Sequence, residues 1–275
     1  MRDIFEGKIN ILNCYNKINK NGYVVLNQKI KENICDEYSA IINKLTPTKK
    51  RVELSMCTNL LSKDKKFSEL VFNDQILTIC QKFFNLDYNK DLNNSFQLNA
   101  IHSRKIDLPS LPQNLHVDSK IPGIYPPLYA SIIIYLDDVD VSMGPTRVIP
   151  GSHKIVKLPK SYSEKKTKLI TGKKGTVIFL NSSMWHGAFK KINDKSRTII
   201  LLTYNRWFVR QNFANPFNLS KKFISKLTKK QKQIIGVYNY SPISTDDKKL
   251  SGSLNEINKN FRMIFRNKVK NYYLK

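Results

Sequence analysis

The succession of short apolar segments between residues 95 and 204 constrains the fold of this chain more than any other feature. Three of these segments are rich in β-branched residues and end at turn residues, namely Tyr129–Asp138, Gly175–Leu180 and Ser196–Tyr204. Runs of this length and composition predict buried strands rather than helices. The sequence therefore predicts a mainly β fold with flanking helices.

Apolar residues recur at helical spacing on both sides of this β region. Before it, the sequence predicts helices over residues 9–20, 29–45 and 67–84, and a strand over Tyr23–Leu26. After it, we expect a helix over 219–235 that ends at Gly236, a loop over 241–253 and a basic helix over 255–273. We expect one domain with a helical N-terminal part (about 1–94), a β core (about 95–205) and a helical C-terminal extension (about 206–275).

Length and cysteine spacing place this chain among ordinary globular proteins. It has 275 residues, 41% of them hydrophobic, and no apolar run reaches membrane-spanning length. The N-terminus carries charges of both signs and no apolar signal region. The four cysteines are widely spaced, with no Cys-x-x-Cys motif. Reduced thiols in the cytoplasm are the expected state.

The net charge of +26 raises the question of nucleic-acid binding. Lysine far outnumbers arginine, the basic residues are spread along the chain, and no known binding module is evident. The sequence therefore predicts no nucleic-acid partner. A small anionic substrate would still be attracted to such a surface.

Two histidines and an aspartate in the β region form a candidate metal site. His116 and Asp118 are two residues apart, and on a strand such residues point to the same side, so both can bind one ion. His186 would supply a third ligand from another strand, close to the apolar run Gly175–Leu180. Two histidines and one carboxylate that leave positions open are typical of non-heme Fe(II), whereas thiolates would favour zinc or clusters.

Arg197 is the candidate anchor for a small acid bound at this metal. If residues 193–194 form a two-residue turn, residues 185–190 and 197–204 pair as a hairpin, with Arg197 on the same face as His186. Four residues along a strand span about 13 Å. That length suits a short dicarboxylic acid bound to the metal at one end and to the guanidinium at the other.

Taken in order, these motifs resemble the phytanoyl-CoA dioxygenase family of Fe(II)/2-oxoglutarate-dependent oxygenases. The resemblance begins at Asn21–Leu26, includes Met143–His153, and runs through Tyr204 to about Gly236. It implies a double-stranded β-helix core of the jelly-roll or cupin-like type. It also implies an enzyme that uses Fe(II), 2-oxoglutarate and O2 to oxidise, above all to hydroxylate, an aliphatic C–H of a small molecule, with release of succinate and CO2.

The same resemblance assigns roles to single residues. The three ligands named above would bind the iron, and Arg197 would bind the distal carboxylate of 2-oxoglutarate. Gln113 matches a polar position three residues before the first metal histidine, and Asn99 lies where the family has a further co-substrate contact on the preceding strand. Val117 stands where the family often has Gln. Related halogenases have Ala or Gly in place of the carboxylate, so Asp118 implies oxidation rather than halogenation.

Two other functions stay open at this point. The same residues could hold a structural or sensing ion in a non-catalytic metal-binding β-barrel, although such a closed site needs a fourth protein ligand and gives Arg197 no role. An oxidative demethylase acting on nucleic acid would need a base-flipping pocket and a phosphate-binding groove.

The segment after the β region bears on the substrate. Four cationic and aromatic side chains there either line the substrate pocket or cover the mouth of the barrel, namely Arg206, Trp207, Arg210 and Phe213. The remaining histidines, His102 and His153, receive no role.

Overall fold

Two antiparallel sheets form the centre of the protein in a computed structural model that describes residues 2–46, 53–84, 96–119, 121–158 and 166–237. Within these residues the strands are β1 Tyr23–Val25, β2 Ser55–Thr58, β3 Phe96–Ile106, β4 Tyr129–Tyr135, β5 Thr146–Val148, β6 Lys168–Ile170, β7 Val177–Asn181, β8 His186–Ala188 and β9 Arg197–Arg206. One sheet has six strands in the order β1-β7-β4-β9-β3-β2, and the other has three in the order β6-β5-β8. Within the described residues these two sheets lie face to face, with one apolar cluster between them, and they do not close into a barrel.

The long apolar strands are explained by burial of both faces of the six-stranded sheet. In β4, Ile132 and Ile134 belong to the cluster that packs against the helices. Ile133 and Tyr135, which point the other way, belong to the cluster between the two sheets. Because successive side chains of a strand alternate between faces, a strand covered on both sides has a continuous apolar sequence.

The helices cover the outer face of the larger sheet. They are α1 Ile11–Asn21, α2 Glu32–Leu45, α3 Leu60–Lys63, α4 Ser68–Val71, α5 Asp74–Phe84, α6 Asn215–Asn218, α7 Lys221–Ser225 and α8 Lys229–Ile234. The predicted helices 9–20 and 29–45 are confirmed, with small shifts at their first turns. None of the helices in the described ranges is long and apolar enough to cross a membrane.

Two predicted helices are interrupted by side-chain caps. The helix predicted over 67–84 breaks before α5, where the Asn73 side chain accepts hydrogen bonds from the backbone N–H groups of Gln75 and Ile76. The helix predicted over 219–235 is divided by Thr228, which forms a capping box at the start of α8. Gly236 has φ +87° and ends this segment as expected.

The predicted hairpin of residues 185–190 with 197–204 is wrong. β8 pairs with β5 in the small sheet, whereas β9 pairs with β3 and β4 in the large one. The connection is also longer than a two-residue turn, because Lys191 pairs through its backbone with Ser110. The two edges of β9 are occupied by β3 and β4, which are both longer than β8, so β9 has no edge left with which β8 could pair.

Other parts of the predicted organisation need correction or lie outside the described residues. The part expected to be helical, about 1–94, also contributes β1 and β2 to the large sheet, and β2 was not predicted. The predicted loop 241–253 and basic helix 255–273 lie outside the described residues.

Candidate metal centre

His116 and His186 are held side by side by their own backbones. The N–H of each donates to the carbonyl of the other, at 2.9 Å from His116 and 3.0 Å from His186. This close approach uses Gly187, where a Cβ would lie 3.0 Å from the carbonyl oxygen of Gln113 and 3.1 Å from that of Asn114. The segment around His116 therefore extends the small sheet by one short rung beyond β8.

Asp118 points to the same side as His116, as the spacing predicted. The residue between them, Val117, is buried with Ile149 and Trp185 on the opposite side. The Oδ1 atom of Asp118 lies 3.5 Å from Nε2 of His116 and 3.6 Å from Nε2 of His186. All three ligand atoms are within 4.8 Å of one another.

Each of these side chains is oriented by a second contact. Nδ1 of His116 lies 3.1 Å from the carbonyl oxygen of Asn114, and Nδ1 of His186 lies 2.9 Å from that of Met184. These contacts place the ring proton on Nδ1, so that the Nε2 lone pair faces the common point. The Ser131 hydroxyl donates to Oδ2 of Asp118 at 2.7 Å.

The three groups change one another's pKa values. The interaction with Asp118 raises the pKa of His116 and outweighs the effect of burial. Burial lowers the pKa of His186. Partial burial would raise the pKa of Asp118, but the two histidines and the Ser131 hydroxyl hold it well below its usual range. The carboxylate is therefore ionised, and His186 is neutral at pH 7.

These residues fit a divalent transition-metal ion. Two imidazole nitrogens and one carboxylate oxygen converge on one point, and cis ligands of an octahedral ion with bonds of about 2.1 Å lie about 3 Å apart. The four cysteines are buried elsewhere and unpaired, so no thiolate joins the set. Among the described residues no fourth His, Cys, Asp or Glu belongs to this cluster. The site leaves positions open, as an Fe(II) centre requires and a closed structural site does not.

Arg197 lies in the wall of the same cavity as the three ligands. This cavity has a volume of about 410 Å³ and lies between the sheets, with Ile133, Ile199 and Leu201 in its wall. Arg197 is 3% exposed, donates from Nη1 to the carbonyl of Gly144, and has no hydrogen-bond partner at its buried Nε. The predicted hairpin was wrong, yet Arg197 reaches the cavity from the first position of β9.

Of the two other predicted co-substrate residues, Gln113 lines the cavity and Asn99 is absent from its wall. Oε1 of Gln113 accepts a hydrogen bond from the Ala188 N–H at 3.3 Å. Asn99 lies at a bulge of β3, where its Nδ2 donates to Oγ1 of Thr203 at 3.2 Å and its Oδ1 accepts from the Asn212 N–H at 2.8 Å. These contacts use both ends of the Asn99 amide.

The four cationic and aromatic residues expected near the substrate are also absent from the cavity wall, namely Arg206, Trp207, Arg210 and Phe213. Arg206 donates from Nε to the carbonyl of Pro127 at 2.7 Å, and Trp207 is 47% exposed. Nε2 of His153 lies 3.2 Å from the carbonyl oxygen of Asn19. His102 is on β3, and burial lowers its pKa to about 4.

Sequence reasoning missed four polar residues of the cavity wall, among them Thr146 and Arg104. Thr146 lies in the segment Met143–His153, but nothing in its spacing distinguishes it from a turn residue. Arg104 has a usable signal, since it is a charged residue within residues 95–205, which the sequence predicts to be the β core.

Residues 18–199, well over half of the chain, match the family model described as phytanoyl-CoA dioxygenase (PhyH). Two uncharacterized proteins, from Mycobacterium bovis and Mycobacterium tuberculosis, are each 23% identical over 118 residues, which is 42% of this chain and 43% of theirs. This chain therefore matches less than half the length of these relatives.

Solved structures show the same fold. The crystal structure of HygX from Streptomyces hygroscopicus with nickel and 2-oxoglutarate bound has a TM-score of 0.59 and 16% identity, over 70% of this chain and 86% of HygX. The epimerase SnoN in complex with Fe3+, alpha ketoglutarate and nogalamycin RO has a TM-score of 0.57 and 15% identity, over 72% and 84%. The predicted mainly β fold with a jelly-roll core is thereby confirmed.

Proposed function

The chain belongs to the phytanoyl-CoA dioxygenase family, and from that premise we propose that it is an Fe(II)/2-oxoglutarate-dependent dioxygenase that hydroxylates an aliphatic C–H of a small molecule. One observation carries the proposal: three convergent ligands and a buried arginine with a free Nε share one cavity. A non-catalytic metal site would give that arginine no role.

In this proposal His116, Asp118 and His186 hold the iron, which with 2-oxoglutarate and O2 supplies the oxidising chemistry. Arg197 binds the distal carboxylate of 2-oxoglutarate through a forked, charge-assisted contact. Gln113 is retained as a further polar contact at the cavity wall, whereas Asn99 is not, because its amide is already used.

The remaining side chains of the site orient these groups and exclude water. Ser131 fixes Asp118 so that its Oδ1 faces the histidines. The apolar side chains Ile133, Ile199 and Leu201 keep bulk water from the cavity wall, which strengthens electrostatic contacts to a bound acid. A cytoplasmic location, which would match the four free cysteines, is part of the proposal.

A site of this kind can also support reactions other than hydroxylation. SnoN is described as an epimerase, and HygX has been crystallised with hygromycin B. The two outcomes differ in the mass of the product, because hydroxylation adds one oxygen atom and epimerisation leaves the mass unchanged.

Succinate release tests the proposed function. Protein loaded with Fe(II) and 2-oxoglutarate should slowly release succinate in air even without its substrate, and faster with the right one in a pool of small metabolites. Asp118→Ala should lower this release strongly, because it removes one ligand and one negative charge. Added chloride can bind at the position that the Asp118 carboxylate would occupy, but this binding alone does not imply that the substrate is halogenated.

Two results would contradict the proposal. Wild-type protein that binds Fe(II) and 2-oxoglutarate but releases no succinate, alone or with the metabolite pool, would favour a non-catalytic metal site. Release stimulated by a methylated oligonucleotide and by none of the small metabolites would favour the demethylase.

A further inference from the structure

A second arginine, Arg104, lines the cavity that holds the candidate metal ligands. On β3 it pairs with Ile199 of β9, and the next residue on the same face, Ile106, pairs with Arg197. Arg104 and Arg197 are therefore diagonal neighbours on adjacent strands, a separation of roughly 7–8 Å between backbones. Two positive side chains project from one sheet face into one cavity.

Arg104 has no partner among the described residues. Its Nε is buried without a hydrogen-bond partner, and the described part of the chain offers it no ion pair. Besides Asp118, the cavity wall contains one acidic residue, Glu53, which is exposed and forms no ion pair with Arg104 in the described residues. A guanidinium is always charged, and buried donors are nearly always paired, so an unpaired one in a cavity wall calls for a ligand.

Once the charges already assigned to the site are paired, Arg104 has no negative charge to balance it. The two carboxylates of 2-oxoglutarate are matched by Arg197 and by the metal, whose second charge is matched by Asp118. Burial is the main reason why the pKa of Arg197 is lowered, and the positive charge of Arg104 adds to it. With co-substrate in place, the charges inside the cavity therefore sum to one positive charge, apart from the exposed Glu53, which forms no ion pair with Arg104 in the described residues.

We propose that Arg104 binds an anionic group, a carboxylate or a phosphate, on the substrate that is oxidised. This inference rests on the proposed function and makes Arg104 a specificity-determining residue. The surroundings add an apolar part to the ligand, because Leu54 and Leu111 line the same cavity and are 50% and 89% exposed. The substrate class is thus a small organic acid or phosphate ester with an apolar portion next to its charge.

Phenyl phosphate is a suitable probe, since it combines one anionic group with one apolar ring. Phenyl phosphate would be titrated calorimetrically into protein loaded with Mn(II) and saturated with 2-oxoglutarate. A second titration into metal-free protein distinguishes binding by Arg104 from coordination by the metal. Arg104→Gln should weaken binding about tenfold or more in both forms, the loss expected for one charged hydrogen-bonding contact. Arg104→Lys, which keeps the charge but not the fork, should lie between.

Lys105→Gln is the matched control. It removes the same charge from the next residue of β3, whose side chain points to the other face and contacts Asn43 and Asp107. The affinity of Lys105→Gln for phenyl phosphate should stay within about twofold of wild type, because the Lys105 charge lies on the face of β3 away from the cavity and is already paired with Asp107. Thermal unfolding of each variant checks folding, and Arg104→Lys carries the test if Arg104→Gln does not fold.

Two results would overturn the inference. Equal affinity of Arg104→Gln and Lys105→Gln for phenyl phosphate would show that Arg104 binds no substrate anion. A loss of 2-oxoglutarate affinity with unchanged phenyl phosphate affinity would assign Arg104 to the co-substrate. Failure of wild type to bind 2-oxoglutarate would instead refute the proposed function, while the comparison in metal-free protein still decides the role of Arg104.

Discussion

Ser131→Ala should weaken metal binding without removing a ligand. The Ser131 hydroxyl donates to Oδ2 of Asp118 at 2.7 Å and lies 3.0 Å from the Ser182 hydroxyl. Within the described residues this is the one hydrogen bond that Oδ2 receives, while Oδ1 faces the two histidines. Without it, the carboxylate is free to rotate away from the ligand position.

The size of the effect follows from the charge on the acceptor. A hydrogen bond to an ionised group contributes about 1.5–3 kcal/mol, and loss of a partner that orients a metal ligand lowers metal affinity about 10- to 100-fold. The substitution also removes one of the interactions that lower the pKa of Asp118, so that pKa should rise toward its usual range.

Ser119→Ala provides the comparison for this experiment. It deletes the same hydroxyl one residue from Asp118, but that hydroxyl donates to the Ile121 carbonyl and does not contact the carboxylate. Mn(II) affinities of wild type and both variants would be measured by calorimetry. Equal weakening in the two variants, or none in Ser131→Ala, would refute the idea that Ser131 orients the ligand.

Three further predictions concern the ligands and the co-substrate. Arg197→Leu should keep Mn(II) binding but lose about 3 kcal/mol or more of 2-oxoglutarate affinity, since a carboxylate would be left without its charged partner; unchanged affinity in calorimetry would assign the distal carboxylate to another side chain. His116→Ala should bind Mn(II) far more weakly than wild type, and equal affinity would remove His116 from the site. Mn(II) affinity should fall as the pH drops, because protons compete for imidazole nitrogens. Since Asp118 raises the pKa of His116, this fall should begin above the usual value of about 6.5; a midpoint in wild type below that value would contradict it.

That His116 and Asp118 face one common point was predictable because it depends on short-range geometry. The alternation of side chains along an extended chain places His116 and Asp118 on one side wherever that segment lies, and Val117 on the other. The β core was predictable for a similar reason, because burial of both faces of the large sheet leaves a continuous apolar run in β4 and β9.

Strand partners were not predictable in the same way. The sequence suggested pairing between β8 and β9 because they are close along the chain, but pairing depends on which edges are already occupied. β2 carries too weak a pattern to be recognised, with a partly exposed sequence of four residues. The position of Asn99 outside the cavity wall was not predictable either, because a bulge in β3, invisible in the sequence, aims its amide at Thr203 and Asn212.

The paired backbone hydrogen bonds between His116 and His186 affect how this part of the protein unfolds locally. Two stretches of chain that are far apart in sequence meet there at a short bridge next to strand β8, and they pair again between Ser110 and Lys191. An ion held by side chains from both stretches acts as a cross-link that closes a long loop. Loading the metal should therefore slow hydrogen exchange at these two amides more than in the centre of β9, and the metal-free protein should lose this rung first.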